Sequence, residues 1–498
     1  MIRIAGTDPI GVVGAGTMGS GIAQVAAVAG HPVTVYDTMP GAAERALVTI
    51  TDRVRRLVAK GRLDIDADTL RLRAATTLDD LAESRCVIEA VAEDLDVKRA
   101  LFADLEKVVP VGCVLATNTS SLSPTAIAAR LQHPGRLVGM HFFNPVPLMR
   151  LVEVVSGPAT APETADAVAD LAEAWGKTVV RAAPTPGFIV NRLARPYYAE
   201  AFRLMEEHAA TPATIDAVLT EAGGFRLGAL ALVDLIGHDV NEAVTRSVWA
   251  SFDYDARFAP SSLQRSLVEA GWLGRKSGRG FYEYTGDAPP PPADAAAPRP
   301  TPAEVADHGA TQLRSLLRRS GAAVLEHGGG EGFVRLPTGG RLVRCDGRTA
   351  TAIAAEAGEP VIVVDRTLDD GTATGIALAA SGGCPPAVLD DAIGLLQAAG
   401  LRVHIVDDVA GLVVTRVVAM LVNLAVDALH QRVATARDID AAMKLGTNYP
   451  IGPLEWGQRW GAPTVLHVLE AMQRWYGDGR YRPSPLLRRM ALTGWELT

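Results

Sequence analysis

Ile10-Gly11-Val12-Val13-Gly14-Ala15-Gly16-Thr17-Met18-Gly19 is the stretch that decides the fold. A short apolar run ends at a Gly-x-Gly-x-x-Gly pattern, and Ala-rich sequence then continues at helical spacing to Gly30. A second strand, Val33-Thr34-Val35-Tyr36, stops at Asp37, eighteen residues after Gly19. With a strand before it, a helix after it and an acid at that distance, the glycine pattern reads as a dinucleotide-binding turn. Gly14 permits the tight turn, Gly16 lets the backbone approach a pyrophosphate, and Gly19 lets the helix sit close to the sheet. Thr17 and Met18 lie between them at the helix start, whose N–H groups face the phosphates. Asp37 is suited to accept hydrogen bonds from the adenosine ribose. A 2'-phosphate would instead place like charges a few ångströms apart, a repulsion of about 4 kcal/mol at 4 Å and an effective dielectric of 20. The expected cofactor is NAD rather than NADP.

Downstream, Cys86-Val87-Ile88-Glu89-Ala90-Val91 is a buried-strand pattern closing near Glu93, followed by a helix through Lys98. Val114 to Thr117 is another strand and delivers Asn118-Thr119-Ser120-Ser121 to a loop; Arg136 to Met140 supplies one more and ends at His141. Ligands of a doubly wound sheet collect at the carboxyl ends of its strands, where all these groups lie. The stretch His141 to Glu153 combines a titratable base, Asn144, two prolines and a carboxylate. A lone histidine beside aromatics is ordinarily a satisfied core residue, but at a strand end beside a nucleotide site it is a candidate general base. Arg53, Arg55, Arg56, Lys60 and Arg62 form a basic helix end that is either a solvated face or a landing site for an anionic substrate.

After Glu153 the chain turns helical. A helix over Glu163 to Trp175 and a strand over Thr178 to Ala182 lead to Thr185-Pro186-Gly187-Phe188-Ile189-Val190-Asn191-Arg192, and helices dominate to about Trp272. Gly274 to Tyr282 is a Gly-rich basic turn containing Lys276. Residues 287–302 are a Pro/Ala-rich linker, and 303–408 read as a small α/β domain without a phosphate motif, conceivably a degenerate duplicate of the first. Gly187 to Arg192 matches Gly411-Leu412-Val413-Val414-Thr415-Arg416 at an offset of 224, which also takes Ile215-Asp216 to Ile439-Asp440 and Gly228 to Gly452. The helical domain is therefore duplicated, with Thr415 where the first copy has Asn191. The expected organisation is a Rossmann-type doubly wound α/β domain over 1–184, an all-helical domain over 185–286, the linker, the small α/β domain, and a second helical copy over 409–498.

Composition narrows the function. At 498 residues the chain has room for several cores, and 48% hydrophobic with 21% charged residues is the balance of a soluble protein. A net charge of -8 argues against nucleic-acid and anionic-membrane partners. Four scattered cysteines with no CxxC pair indicate neither a disulfide framework nor a metal site, and no signal peptide or membrane span is read, so a cytoplasmic location is expected.

Taken together, Gly14 to Gly19, Ile88 to Val91, Asn118 to Leu122, His141 to Pro145, Leu151-Val152-Glu153 and Thr185 to Arg192 resemble the L-3-hydroxyacyl-CoA dehydrogenase family over residues 8 to about 284. The full layout is similar to the long bacterial form associated with 3-hydroxyadipyl-CoA or 3-hydroxybutyryl-CoA oxidation in phenylacetate degradation. The resemblance implies NAD-dependent oxidation of an acyl-CoA thioester, with His141 as base, Glu153 orienting it, and Ser120 and Asn191 positioning the reacting oxygens. It implies that Asp37, Glu93, Lys98, Asn144 and Lys276 surround NAD and that Arg53, Arg56 and Lys60 meet the CoA phosphates. It further implies an internal pseudo-dimer of the helical copies and allows a homo-oligomer. A free hydroxy-acid substrate, in the manner of gulonate dehydrogenases, and a non-catalytic NAD-binding sensor are the alternatives. Phe225-Arg226-Leu227-Gly228-Ala229 departs from the family's Gly-Pro, which the second copy keeps at Gly452-Pro453; a loosened helix start is expected there.

Overall fold

The computed structural model describes residues 2–284 and 291–494. The chain forms two compact units, Met1–Arg192 with Gln431–Thr447, and Leu193–His430 with Asn448–Thr498. The linker expected over 287–302 lies partly outside the described residues; from 291 onward it carries no helix or strand before Glu304.

The first unit is built on eight strands: β1 (Ile10–Val13), β2 (Val33–Tyr36), β3 (Leu72–Ala74), β4 (Cys86–Glu89), β5 (Val114–Thr117), β6 (Leu137–Phe142), β7 (Leu151–Val155) and β8 (Thr178–Ala182). Their spatial order is β3-β2-β1-β4-β5-β6-β7-β8. Pairing is parallel except between β6 and β7. Helices cover both faces, so the central strands are apolar on both sides. Ile10, Val12, Ile88 and Ala116 point into one buried cluster, and Val13, Val87 and Leu115 into the other. The reversal at β7 brings its strand back alongside β6, so that His141 faces Glu153 across the ladder.

The second unit contains a seven-stranded mixed sheet: β9 (Glu304–His308), β10 (Ala323–Glu326), β11 (Phe333–Arg335), β12 (Arg341–Arg344), β13 (Val361–Val364), β14 (Gly375–Ala380) and β15 (Arg402–Ile405), in the order β10-β9-β11-β12-β13-β14-β15. Its last four strands repeat the parallel, antiparallel, parallel sequence of β5 to β8. Val152 opposite Val179 on β7 and β8 becomes Ile376 opposite Val403 on β14 and β15, again at an offset of 224. Strands β12 to β15 thus repeat the end of the first sheet, and the repeat begins well before the helices.

The two helical copies match in backbone as well as sequence. Phe188 and Leu412 both have φ of 47°, and His208 and Arg432 both have φ of 56°, left-handed conformations uncommon outside glycine. Each copy also lends a helix to the sheet of the other half of the chain. Helix Ala436–Thr447 packs on β7 and β8 within the first unit, while its counterpart Pro212–Glu221 packs on β14 within the second. Compact units therefore do not follow chain order.

One expectation is corrected. The helix at Ala229 is not loosened by the missing proline: Ala229–Ile236 starts where its counterpart Pro453–Trp460 does. The Asp216 carboxylate accepts from the N–H groups of Leu230 (2.9 Å) and Ala231 (2.8 Å) and so caps the helix start.

Candidate active site

The glycine turn has the geometry its sequence demands. Gly14 has φ of 103°, and a Cβ there would lie 2.5 Å from the Ala90 carbonyl oxygen; a Cβ at Gly19 would lie 1.7 Å from the Gly14 carbonyl oxygen. At Gly16 a Cβ would meet nothing within 4 Å, so this glycine keeps open the space into which a pyrophosphate approaches. Helix Thr17–Val28 has no side-chain cap, which leaves its first N–H groups available to phosphate oxygens. Asp37 accepts from Ala15 N (2.7 Å) and Met39 N (2.8 Å), and this fixes the β2 acid beside the turn. These residues fit NAD.

At the ends of β4 and β5 a buried polar network holds the next loop. Lys98, 1% exposed, pairs with Glu89 (2.5 Å) and Glu93 (3.3 Å). Glu89 also accepts from Thr117 Oγ1 and Val91 N, each at 2.7 Å. Glu93 gathers the loop after β5 by accepting from Thr119 Oγ1 (2.7 Å), Ser120 N (2.8 Å) and Ser121 N (3.0 Å). Burial alone would raise its pKa, but the Lys98 ammonium and these donors outweigh it and hold the carboxyl at about 2. Lys98, expected beside the cofactor, is thus buried beneath the loop and acts through Glu93. Glu89 had no role assigned from sequence; its signal was an acid closing an apolar strand nine residues before a lysine.

His141 and Glu153 form the centre. His141 Nδ1 lies 2.6 Å from Glu153 Oε2, and Glu153 is fully buried. The other carboxylate oxygen accepts from Ile189 N (3.1 Å) and Val190 N (2.9 Å), where the chain enters its first helical turn. Glu153 is pinned from both sides, so it fixes the imidazole with Nδ1–H donating and the Nε2 lone pair outward. Phe143 and Phe188 flank the ring at 4.5 and 5.8 Å between centroids. Asn118 Oδ1 accepts from Phe142 N (2.8 Å) and ties the β5 loop to the end of β6. Asn191 Nδ2 donates to the Ser120 carbonyl (3.4 Å), so the helix start, the β5 loop and the histidine strand converge.

Arg53, Arg56, Lys60 and Arg62 line a groove of about 470 Å³ with Asn144, Leu148 and the glycine helix, and no acidic residue shares that lining. Arg55 turns away to pair with Asp68. Asn144, expected near the cofactor, stands in the same groove as the basic run. Lys276 belongs to the second unit, where it pairs with Asp239 at 2.5 Å.

The second sheet carries no equivalent set. At the shared offset His141 becomes Asp365, Glu153 becomes Ala377 and Asn191 becomes Thr415. Asp365 faces Ala377 through a backbone bond of 2.9 Å and accepts from Val413 N, Val414 N and Thr415 N at 3.0, 2.7 and 2.9 Å. It therefore serves the N–H groups that Glu153 serves in the first copy, and neither a histidine nor an open carboxylate remains.

Among the described residues no helix is long and apolar enough to cross a membrane, and no group of His, Cys, Asp and Glu side chains could hold a metal ion.

Comparison with known proteins agrees with this anatomy. The family model for the 3-hydroxyacyl-CoA dehydrogenase NAD binding domain matches residues 9–185, and that for the C-terminal domain matches 187–284 and 411–496. A 3-hydroxybutyryl-CoA dehydrogenase reduced Rossmann-fold domain model matches 342–409. A 3-hydroxyadipyl-CoA dehydrogenase of Escherichia coli K12 is 44% identical over 98% of both chains. A probable 3-hydroxybutyryl-CoA dehydrogenase of Bacillus subtilis is 43% identical over 55% of this chain and 96% of its own. Among solved structures, a 3-hydroxybutyryl-CoA dehydrogenase from Escherichia coli K12 superposes with a TM-score of 0.89 at 42% identity over 98% of each chain.

Proposed function

The chain belongs to the 3-hydroxyacyl-CoA dehydrogenase family, and from that premise we propose that it oxidises an L-3-hydroxyacyl-CoA to the 3-oxoacyl-CoA, on a short or dicarboxylic chain such as 3-hydroxybutyryl or 3-hydroxyadipyl. The observation that carries the reading is the 2.6 Å bond between His141 and a Glu153 whose second oxygen is itself held. NAD, when bound, supplies the hydride acceptor for C3. Gly14, Gly16, Thr17, Met18, Gly19 and Asp37 hold it, with Glu93 and Asn144 beside it. His141 Nε2 takes the proton of the 3-hydroxyl as the carbonyl forms, and Glu153 stabilises the resulting imidazolium. Ser120 and Asn191 keep the reacting oxygens in line. Arg53, Arg56 and Lys60 receive the CoA phosphates, in a groove whose lining carries no carboxylate.

The test is replacement of His141 by Gln, followed through NADH formation from 3-hydroxybutyryl-CoA and 3-hydroxyadipyl-CoA. Turnover should fall by about 10²- to 10⁴-fold, the range general base catalysis supplies. NAD affinity should be nearly unchanged. Wild-type rates by the variant would remove the base, and a wild-type enzyme inactive on both thioesters would remove the substrate class.

The helical copies are read as an internal pseudo-dimer. Arg416 binds Glu207 in one half, and Arg192 donates to Gln431 in the other; both members of the second pair are related to the first by 224 residues. Such reciprocity is the pattern of an isologous interface. A cytoplasmic location fits the four free thiols.

A further inference from the structure

A second cavity, of about 430 Å³, lies wholly within the second unit, between helix Arg195–Glu206, the turn Ala256–Phe258 and the segment after helix Ala462–Tyr476. None of the family-site residues lines it. Phe202, Phe258, Tyr198 and Tyr476 give it an aromatic wall, and Arg203 and Arg480 stand on its polar side. The carboxylates around it are already engaged. Glu206 accepts from Ser261 Oγ (2.7 Å), Glu207 from Tyr476 OH (2.8 Å) and from Arg416, and Asp478 from Arg203 (2.7 Å).

Arg480 is the exception. It is 8% exposed, its Nε is buried without a hydrogen-bond partner, and among the described residues no hydrogen bond or ion pair reaches its guanidinium. Burial lowers its pKa, and so does Arg203, against the opposing pull of Glu200, Tyr481 and Asp478. Its Nε is withdrawn from water without an acceptor while the residue lines the cavity, and a carboxylate entering there can satisfy a guanidinium through two parallel bonds. Another buried arginine of the same unit, Arg416, shows the satisfied arrangement: fully buried, bonded to Glu207 and to the Ala410 carbonyl.

We propose that this cavity is a binding site for a small monocarboxylate with an apolar or aromatic body, its carboxylate taken by Arg480 and its body laid against Phe202 and Phe258. A phosphate dianion is disfavoured, because Glu206, Glu207 and Asp478 border the same space.

Titration calorimetry of the full-length protein with benzoate, and with benzamide as its uncharged isostere, tests the site. Wild type should bind one benzoate, with benzamide weaker by roughly tenfold or more, the difference expected for a charge-assisted pair. Arg480→Gln should lose benzoate by a similar factor while keeping NADH formation. No benzoate heat at about 10 mM in wild type, equal binding of benzamide, or undiminished benzoate binding by the variant would each overturn the proposal. Should Arg480→Gln fail to fold, the benzoate and benzamide comparison in wild type decides alone.

Discussion

Glu93 sits in an environment far from that of a carboxylate in solution. It sits at the mouth of the site, yet Lys98 beneath it and the donors of residues 119–121 keep it ionised down to a pH of about 2. A folded-state pKa below the ordinary carboxyl value of 4.5 means that Glu93 contributes stability above pH 4.5, and that this contribution disappears as pH falls through about 2. Unfolding free energies of wild type and Glu93→Gln should therefore differ most near neutral pH and converge on acidification. A constant difference from pH 6 to pH 2.5 would show that the carboxylate charge is not what orders the loop. The sequence exposed Glu93 and Lys98 as strand-end and helix residues. That the lysine is buried and works through the glutamate was not legible, because it depends on how the helix after β4 lies against the sheet.

At the scale of elements, β12 to β15 with the helix they feed preserve the backbone framework of β5 to β8 without its His141–Glu153 pair. Once Glu153 is replaced by Ala377, the buried N–H groups at the start of the second helical copy need another acceptor. Asp365, at the place of the histidine, supplies it and also accepts from Thr415 Oγ1 at 2.7 Å. Asp365→Ala should destabilise by about 3 kcal/mol or more, since each orphaned buried donor costs about 1–3 kcal/mol. Chemical denaturation measures the loss, and kcat of the folded fraction should be unchanged. A variant as stable as wild type would mean that water or a neighbour replaces the carboxylate. The helical repeat was visible in sequence because Gly187 to Arg192 and Gly411 to Arg416 keep the same glycine, apolar and arginine spacing. Its sheet portion was hardly visible, because strands tolerate almost any apolar side chain and only ladder register aligns them.

At the scale of the molecule, the second helical copy lends support to the sheet that carries His141 and Glu153. Helix Ala436–Thr447 covers β7, the strand that carries Glu153, and Gly446 makes the approach possible: a Cβ there would lie 2.9 Å from both Leu151 Cδ2 and Val190 Cγ2. Leu151 shares its strand with Glu153, and the N–H of Val190 is one of that carboxylate's donors. Gly446→Val should press on both, destabilising by about 1–3 kcal/mol through overpacking and lowering kcat roughly tenfold although it lies far along the chain from every reacting group. Normal kinetics in the folded variant would show that the two halves are mechanically independent. The sequence by itself determined the cofactor, the candidate base with its carboxylate, and the helical duplication, because these depend on features a few residues long: a glycine where Cβ has no room, an acid at a strand end, a fixed spacing of turns. Only the tertiary structure decided that Asp365 replaces His141, that a helix from the second copy buttresses β7, and that Arg480 faces a cavity without a partner. Those facts follow from register and packing between segments distant in the chain, where the identity of a residue does not state what it will meet.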